Sequence, residues 1–531
     1  MNAATDTIHK DRTPSRNLSS ITGLRFFAAS SVMAAHILSF YAPSLPGWAI
    51  ETLGHIGMSL FFTLSGFVIH YNYSYLGKFR LREYGTFMAI RFARLYPLFI
   101  LLLTIDFSIQ NYTNDSLRLS NLLVVAPYFL TLTQSWFYLP ISGGHATLFG
   151  YSIGGISWSI STEWFFYVIY PVIAYGVVRL RTGRAIVTSA ILITVGTLAL
   201  LSYCGNSTQE ITEAATWRFG HIAEDSPYSF TRWLFYLSPY ARVFEFCLGC
   251  IVAQAVLTNQ TETRLFRGQG ACLIVPVLIS IVGVQAYLLA YQVPSTQLWA
   301  QAFAISPLIA ALLFLLSGNK QSVIARALSV SAILLVAEAS YSIYLLHPLV
   351  LGFLMPPNGL AAVTPNVPIA RALLTAVLVI MLSLAMARWF ELPARIWLRK
   401  GIMDASVGGI RFRLALTCMG APLVAAAFLI VRALPQQEPA LIDYVYASYG
   451  TNQGVPANNI LQDFAGMCRG KSDCLYIPDL QRTQDPAPGL GKDMTLNWRC
   501  GRETMQSIYV EAEATFKPPV HISCLKVAPS K

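Results

Sequence analysis

Twelve apolar runs, at about 21–41, 53–73, 93–110, 122–139, 156–178, 185–204, 232–257, 271–291, 297–317, 330–354, 370–389 and 413–433, constrain most of what this chain can become. A helix needs about 20 apolar residues to cross the ~30 Å hydrocarbon core of a bilayer, and a backbone in lipid must satisfy its own hydrogen bonds. Of the 531 residues 55% are hydrophobic and 12% charged, whereas soluble domains carry about 25% charged residues. The fold class expected is therefore an all-α polytopic membrane protein. The net charge of +11 does not mark a nucleic-acid partner, because the lysines and arginines sit in short segments between apolar runs, where they set orientation. Residues 1–20 are polar and the first run is full length without a small-residue cleavage site, so no removable leader is expected.

The basic residues cluster at Lys10/Arg12/Arg16, Lys78/Arg80/Arg82/Arg91/Arg94, Arg179/Arg181/Arg184, Arg264/Arg267, Lys320/Arg326 and Arg395/Arg399/Lys400/Arg411/Arg413. All of these lie on the cytoplasmic side if one apolar run fails to span. The run 122–139, with Pro127, Thr131, Thr133, Gln134 and Ser135, is the best candidate for a re-entrant or interfacial segment. Eleven spans then remain, with the N-terminus inside and the tail outside. The chain divides into a cytoplasmic segment (1–20), a membrane domain (21–400), a linker with the last span (401–436) and a polar, small extracytoplasmic β-rich domain (437–531). Cys468, Cys474, Cys500 and Cys524 fall in this tail, where an even count on the oxidising side reads as two disulfides. Three pairings are open, Cys468–Cys474 with Cys500–Cys524 being the simplest. No His/Cys spacing supports zinc, and no residue is assigned to a metal.

Several spans carry polar groups that lipid would reject. Arg25 and His36 are eleven residues apart on the first, so at ~100° per residue they share one stripe, ~16 Å apart along the axis. Intramembrane ionisable groups normally face a bundle interior or a wet cavity; the bland alternative is a snorkelling arginine and a packed core histidine. Gly57 and Gly66 bracket a small-residue segment suited to close helix packing. Arg91 and Arg94 share a helix face, as positive-inside anchors or as a phosphate-binding fork. Glu163 should lie at a depth similar to His36, where a carboxylate in contact could fix the imidazole tautomer. Arg242 and Glu245 form an i,i+3 ion pair near mid-membrane, either structural or functional. Tyr344 and His347 sit together on a later span, and Glu391-Leu-Pro393-Ala-Arg395 reads as a proline stop with a local ion pair.

Read in order, these segments resemble membrane-bound acyltransferase family 3, which includes O-antigen and peptidoglycan O-acetyltransferases. The resemblance runs over about residues 18–400 and rests on Gly23-Leu-Arg25-Phe-Phe-Ala-Ala with His36 beyond, Leu60-Phe-Phe-Thr-Leu-Ser-Gly66-Phe, and Arg91-x-x-Arg94 with Pro97. Trp158-Ser-Ile-Ser-x-Glu163, Arg242-x-x-Glu245 and Ser340-Tyr-x-x-Tyr344-x-x-His347 complete it. It implies transfer of an acyl group, usually acetyl, from cytoplasmic acyl-CoA to a hydroxyl of a surface carbohydrate such as O-antigen or exopolysaccharide. The setting would be a bacterial inner membrane, with no tightly bound cofactor. By the same likeness His36 is catalytic with Arg25 its partner, Glu163, Arg242, Glu245, Tyr344 and His347 are the further candidate catalytic residues, and Arg91 and Arg94, with Arg25, hold the donor. Relatives with a fused outer hydrolase carry a Gly-Asp-Ser motif, which residues 437–531 lack.

The chemistry needs a base to take the proton of a sugar hydroxyl, and neutral His36 suits that role, with Glu163 as its orienting carboxylate. Arg25, Arg242 or Tyr344 are the candidates to stabilise the oxyanion, and a relay through acyl-His36 is the variant route. The competing reading is a transporter or flippase of a lipid-linked sugar, its buried Arg, Glu and His lining the path. No internal repeat favours it.

Overall fold

The computed structural model describes residues 18–406 and 442–523, except 43, 79, 114–118, 142–145, 151–152, 225–227, 259–269, 292–297, 300–302, 355–367, 472, 479–485, 489, 501–505 and 512–519. The first unit is a helical membrane bundle. Its opening hairpin joins α1 (Ser19–Tyr41) to α2 (Gly47–Tyr73), and α3 (Leu81–Thr113), α4 (Leu119–Leu130), α5 (Trp158–Val177), α6 (Gly183–Asn206) and α7 (Thr208–Phe219) follow. Then come α8 (Phe230–Leu257), α9 (Ala271–Ala290), α10 (Ser306–Gly318), α11 (Val323–Leu328), α12 (Ser331–Glu338), α13 (Ser340–Leu354), α14 (Pro368–Met386) and α15 (Leu392–Ser406).

Eight helices among the described residues are long and apolar enough to cross a membrane, or nine if α12 and α13, bent by 63° at Ala339, count as one broken span. Of the eleven spans expected, the run 297–317 yields only the 13-residue α10, shorter than the ~20 residues a simple crossing needs. The run 413–433 lies outside the described residues. The segment 122–139 forms one 12-residue helix that stops at Leu130, followed by turns in which Leu132 adopts a positive φ of 57°. The helix is shorter than the ~20 residues of a simple crossing. The amphipathic α7, with Glu210 and Glu213 among its residues, had no apolar signal to reveal it.

Pro393 does not stop its helix. The chain takes one wide turn over Ala387–Glu391 and continues through Pro393 as α15, within one helical span over Ala370–Arg399.

α2 and α8 cross closely. A Cβ placed on Gly66 would lie 2.0 Å from the Phe246 carbonyl oxygen, and one on Gly249 would lie 2.0 Å from that of Thr63. Each glycine thus receives the backbone of the other helix, as small residues do where membrane helices meet closely. Around this contact Phe62, Phe166, Tyr167, Tyr170 and Phe246 fill a fully buried aromatic core.

The second unit carries a three-stranded antiparallel sheet, ordered Ile442–Tyr449, Met494–Cys500, Gln506–Val510, and a two-stranded one pairing Asp473–Tyr476 with Val520–Ser523. Tyr449, Phe464, Tyr476, Leu496 and Ile522 form its core. Phe464 comes from a short helix, Leu461–Cys468, whose last residue forms a disulfide with Cys474. Cys524 lies outside the described residues, so the second pairing expected has no structural account.

Candidate functional site

α1 carries Arg25 and His36 on one stripe, and the two side chains open into different cavities. The first cavity, of about 780 Å³, is lined by Arg25, Arg94, Ser65, Glu163, Tyr167 and Tyr341 among others. Its polar groups come from five helices, because α1, α2, α3, α5 and α13 each turn a hydrophilic position inward. Glu163 Oε1 accepts hydrogen bonds from Ser65 Oγ at 3.3 Å and from the hydroxyl of Tyr167. Arg25 and Arg94 stand within electrostatic reach of that carboxylate and of Glu391. Glu391 is itself held by Ser342 Oγ at 2.6 Å, and the wide turn at Ala387–Glu391 places it there. The recess thus presents two guanidinium groups and the Glu163 carboxylate, with Glu391 behind them, so the positive and negative groups are close to balanced.

The second cavity, of about 1010 Å³, is lined by His36 with Trp158, Tyr228, Tyr236, Phe149 and Arg232 among others. Met58 and Tyr344 border both cavities. The Tyr344 hydroxyl donates to the Ile156 carbonyl at 3.1 Å and accepts from Ser159 Oγ at 2.7 Å. The side-chain wall between the two spaces is therefore tethered to the start of α5.

His36 Nδ1 is 2.9 Å from Nε2 of His347, and the two rings stack with centroids 5.0 Å apart. His347 is fully buried. This pairing replaces the expected one with Glu163. Position along a helix axis, which is all that residue counting addresses, does not fix which neighbouring helix a side chain meets. α1 packs on α13 here, and Glu163 is engaged in the other cavity.

Arg242 and Glu245 line neither cavity. Arg242 is fully buried, its Nε donating to the Tyr236 carbonyl at 2.8 Å and its Nη1 lying 3.4 Å from Glu245. Glu245 also accepts from Ser306 Oγ at 2.8 Å. The wide turn Trp233–Leu237 leaves the Tyr236 carbonyl turned to this guanidinium, whose carbon lies 4.4 Å from the Tyr236 ring centre. Arg242 thereby fixes the backbone and ring of a residue that faces His36 across the second cavity.

The two arginines of α3 also part company. Arg94 opens into the first cavity, whereas Arg91 is 6% exposed and its guanidinium carbon lies 4.7 Å from the centre of the Tyr73 ring. Ser65, Ser159 and Tyr167 join the site without having been given a role in the sequence, and Glu391 joins it although it was read there only as part of a proline stop with a local ion pair. Hydroxyl residues in apolar spans are common, and only tertiary contact distinguishes these.

The bundle of apolar, membrane-length helices, with ionisable groups on two adjoining recesses, defines a multi-pass membrane protein. Residues 18–388 match the model of the acyltransferase domain. The chain is 32% identical over 353 residues to acyltransferase MdmB of Streptomyces mycarofaciens, an alignment covering 63% of this chain and 79% of that protein. It belongs to membrane-bound acyltransferase family 3. No solved structure matches it.

Proposed function

We propose that this acyltransferase moves a short acyl group, acetyl in the simplest case, from acyl-CoA in the Arg25 cavity to a carbohydrate hydroxyl in the His36 cavity. The observation that carries the reading is the shared wall of Met58 and Tyr344, which brings a cavity with two arginines against one with an imidazole. Guanidinium groups suit the phosphates or carbonyls of the donor. The rings of Trp158, Tyr228 and Tyr236 offer apolar faces and polar edges to a sugar. The distribution of basic residues supports donor entry from the cytoplasm of a bacterial inner membrane, with the second unit outside.

In this reading His36 takes the proton of the acceptor hydroxyl, whose oxygen attacks the thioester carbonyl carbon. The Tyr344 hydroxyl, the polar group bordering both cavities, turns from the Ile156 carbonyl to the oxyanion. The carbon–sulfur bond then breaks and His36 returns its proton to the departing thiolate, giving ester and free CoA thiol.

The test is transfer of radiolabelled acetyl from acetyl-CoA to the surface glycan of the native host by purified full-length protein. Label in an alkali-labile ester supports the reading. Undiminished glycan acylation in cells lacking the protein, with no label transferred in vitro, removes it and favours transport.

The geometry also divides the arginine pair. Arg94→Ala removes a charged donor from the cavity, and loss of a charge-assisted hydrogen bond worth about 1.5–3 kcal/mol raises the donor KM by about 10- to 150-fold. Arg91→Ala leaves the cavity lining intact and lowers thermal stability instead, through lost packing on Tyr73. Equal donor KM values for the two variants would remove the distinction.

A further inference from the structure

His36 needs one ring nitrogen bare if it is to accept a proton, and a neutral imidazole in isolation does not choose which. The choice is legible in the residues behind it. His347 precedes Pro348 on α13. Proline has no N–H, so the carbonyl four residues earlier, that of Tyr344, lacks its helical donor. The His347 side chain turns back to this turn of helix: its Nδ1 is 3.1 Å from the Ile343 carbonyl oxygen, and it also engages the backbone of Tyr344.

A carbonyl oxygen only accepts, so Nδ1 of His347 carries a hydrogen. The ring is fully buried, where an unpaired charge is costly, so it stays neutral and its Nε2 is a bare lone pair. That nitrogen lies 2.9 Å from Nδ1 of His36. Two bare nitrogens would repel, so the hydrogen between them belongs to His36 Nδ1. Nε2 of His36 is then left unprotonated on a ring that lines the second cavity. It has no hydrogen-bond partner among the described residues.

The geometry points to His347 as a positioning residue that sets the tautomer of His36 and holds its lone pair towards the acceptor. A histidine, itself locked by a proline-freed turn, takes the place that a carboxylate fills in the better-known triads. The chain of donors runs from His36 Nδ1–H to His347 Nε2, and from His347 Nδ1–H to the helix backbone. When His36 Nε2 takes the hydroxyl proton, the imidazolium keeps Nδ1–H on the neutral acceptor behind it. The proton later leaves from Nε2 to the thiolate, so His347 ends each turnover as it began. This assignment rests on the acyl-transfer reading of the same site, and the two can fail separately.

The experiment uses full-length protein in lipid nanodiscs. Nitrogen-15 labelling of histidine reports the tautomer directly, with His36→Asn and His347→Gln assigning the signals. His36 is expected with hydrogen on Nδ1 and none on Nε2. Initial rates with radiolabelled acetyl-CoA and the native surface glycan then give kcat and KM. His347→Ala is expected to lower kcat by about 10²- to 10⁴-fold, the range of a general-base contribution, with donor KM unchanged. His347→Gln, whose amide oxygen can accept from His36, is expected to recover about tenfold, one hydrogen bond's worth.

Hydrogen on Nε2 of His36 in the unmodified protein overturns the assignment, whether or not any variant folds. So does a His347→Ala protein with reduced thermal stability and an unchanged kcat per folded molecule. An active His36→Asn would overturn it as well, by removing this ring as the base, whereas no acetyl transfer by the unmodified protein would defeat the acyl-transfer reading of the site.

Discussion

His36→Ala is expected to reduce acyl transfer by about 10²- to 10⁴-fold, the contribution of a positioned general base. The substitution also leaves His347 Nε2 buried without its donor, which costs about 1–3 kcal/mol of stability. His36→Asn separates the two effects. Its side-chain amide can place an N–H where Nδ1 of His36 now meets His347 at 2.9 Å, yet it offers no basic nitrogen to the cavity. The asparagine variant should therefore match the unmodified protein in thermal unfolding and match the alanine variant in rate. Steady-state transfer and a melting curve on the same preparations check both halves. Full activity in a folded asparagine variant would end any mechanism that uses this ring as a base.

Gly249→Val should have the largest effect on the bundle itself. The Cβ alone would approach the Thr63 carbonyl to 2.0 Å, and backbone cannot yield as a side-chain tip can. Overpacking of a core usually costs about 1–3 kcal/mol, and a collision of two helix backbones belongs at or above the top of that range. The same crossing contains the reciprocal contact of Gly66 with the Phe246 carbonyl. Gly66→Val should thus produce a loss of similar size, and the double variant less than the sum, because either change already parts the helices. Yield of monodisperse protein and thermal unfolding in detergent report the effect. Native stability in either single variant would mean that the helices do not approach this closely.

These two results touch what the amino-acid sequence makes legible and what it withholds. The helical repeat is fixed by backbone geometry, so the common stripe of Arg25 and His36 could be read from a spacing of eleven. The close approach at Gly66 followed from small residues in an apolar run. The division of that stripe between two cavities could not be read, because Met58 of α2 and Tyr344 of α13 make the wall.

His347 stood out as a polar residue in lipid, but its partner is 311 positions away. Glu163 was placed against the wrong neighbour, since residue counting addresses height along a helix and not direction around the bundle. The Arg242–Glu245 pair was plain at i,i+3. Its role behind Tyr236 depends on a wide turn that no propensity announces.

The span count shows the same limit. A hydropathy run records length, whereas the 63° bend between α12 and α13 and the short α10 are tertiary compromises that place polar groups in the bundle. Pro393 illustrates the converse: a residue that usually ends helices follows directly on a wide turn in a helix that runs on past it.

The wall of Met58 and Tyr344 has an electrical consequence. On the proposed reaction neither nucleotide nor sugar crosses the bilayer. An acylium equivalent moves one way, and the hydroxyl's proton, carried out on the thiol, moves the other. The two charges cancel. An exchange of this kind does no work against a membrane voltage, which would otherwise weigh on every turnover at about 2.3 kcal/mol per charge per 100 mV.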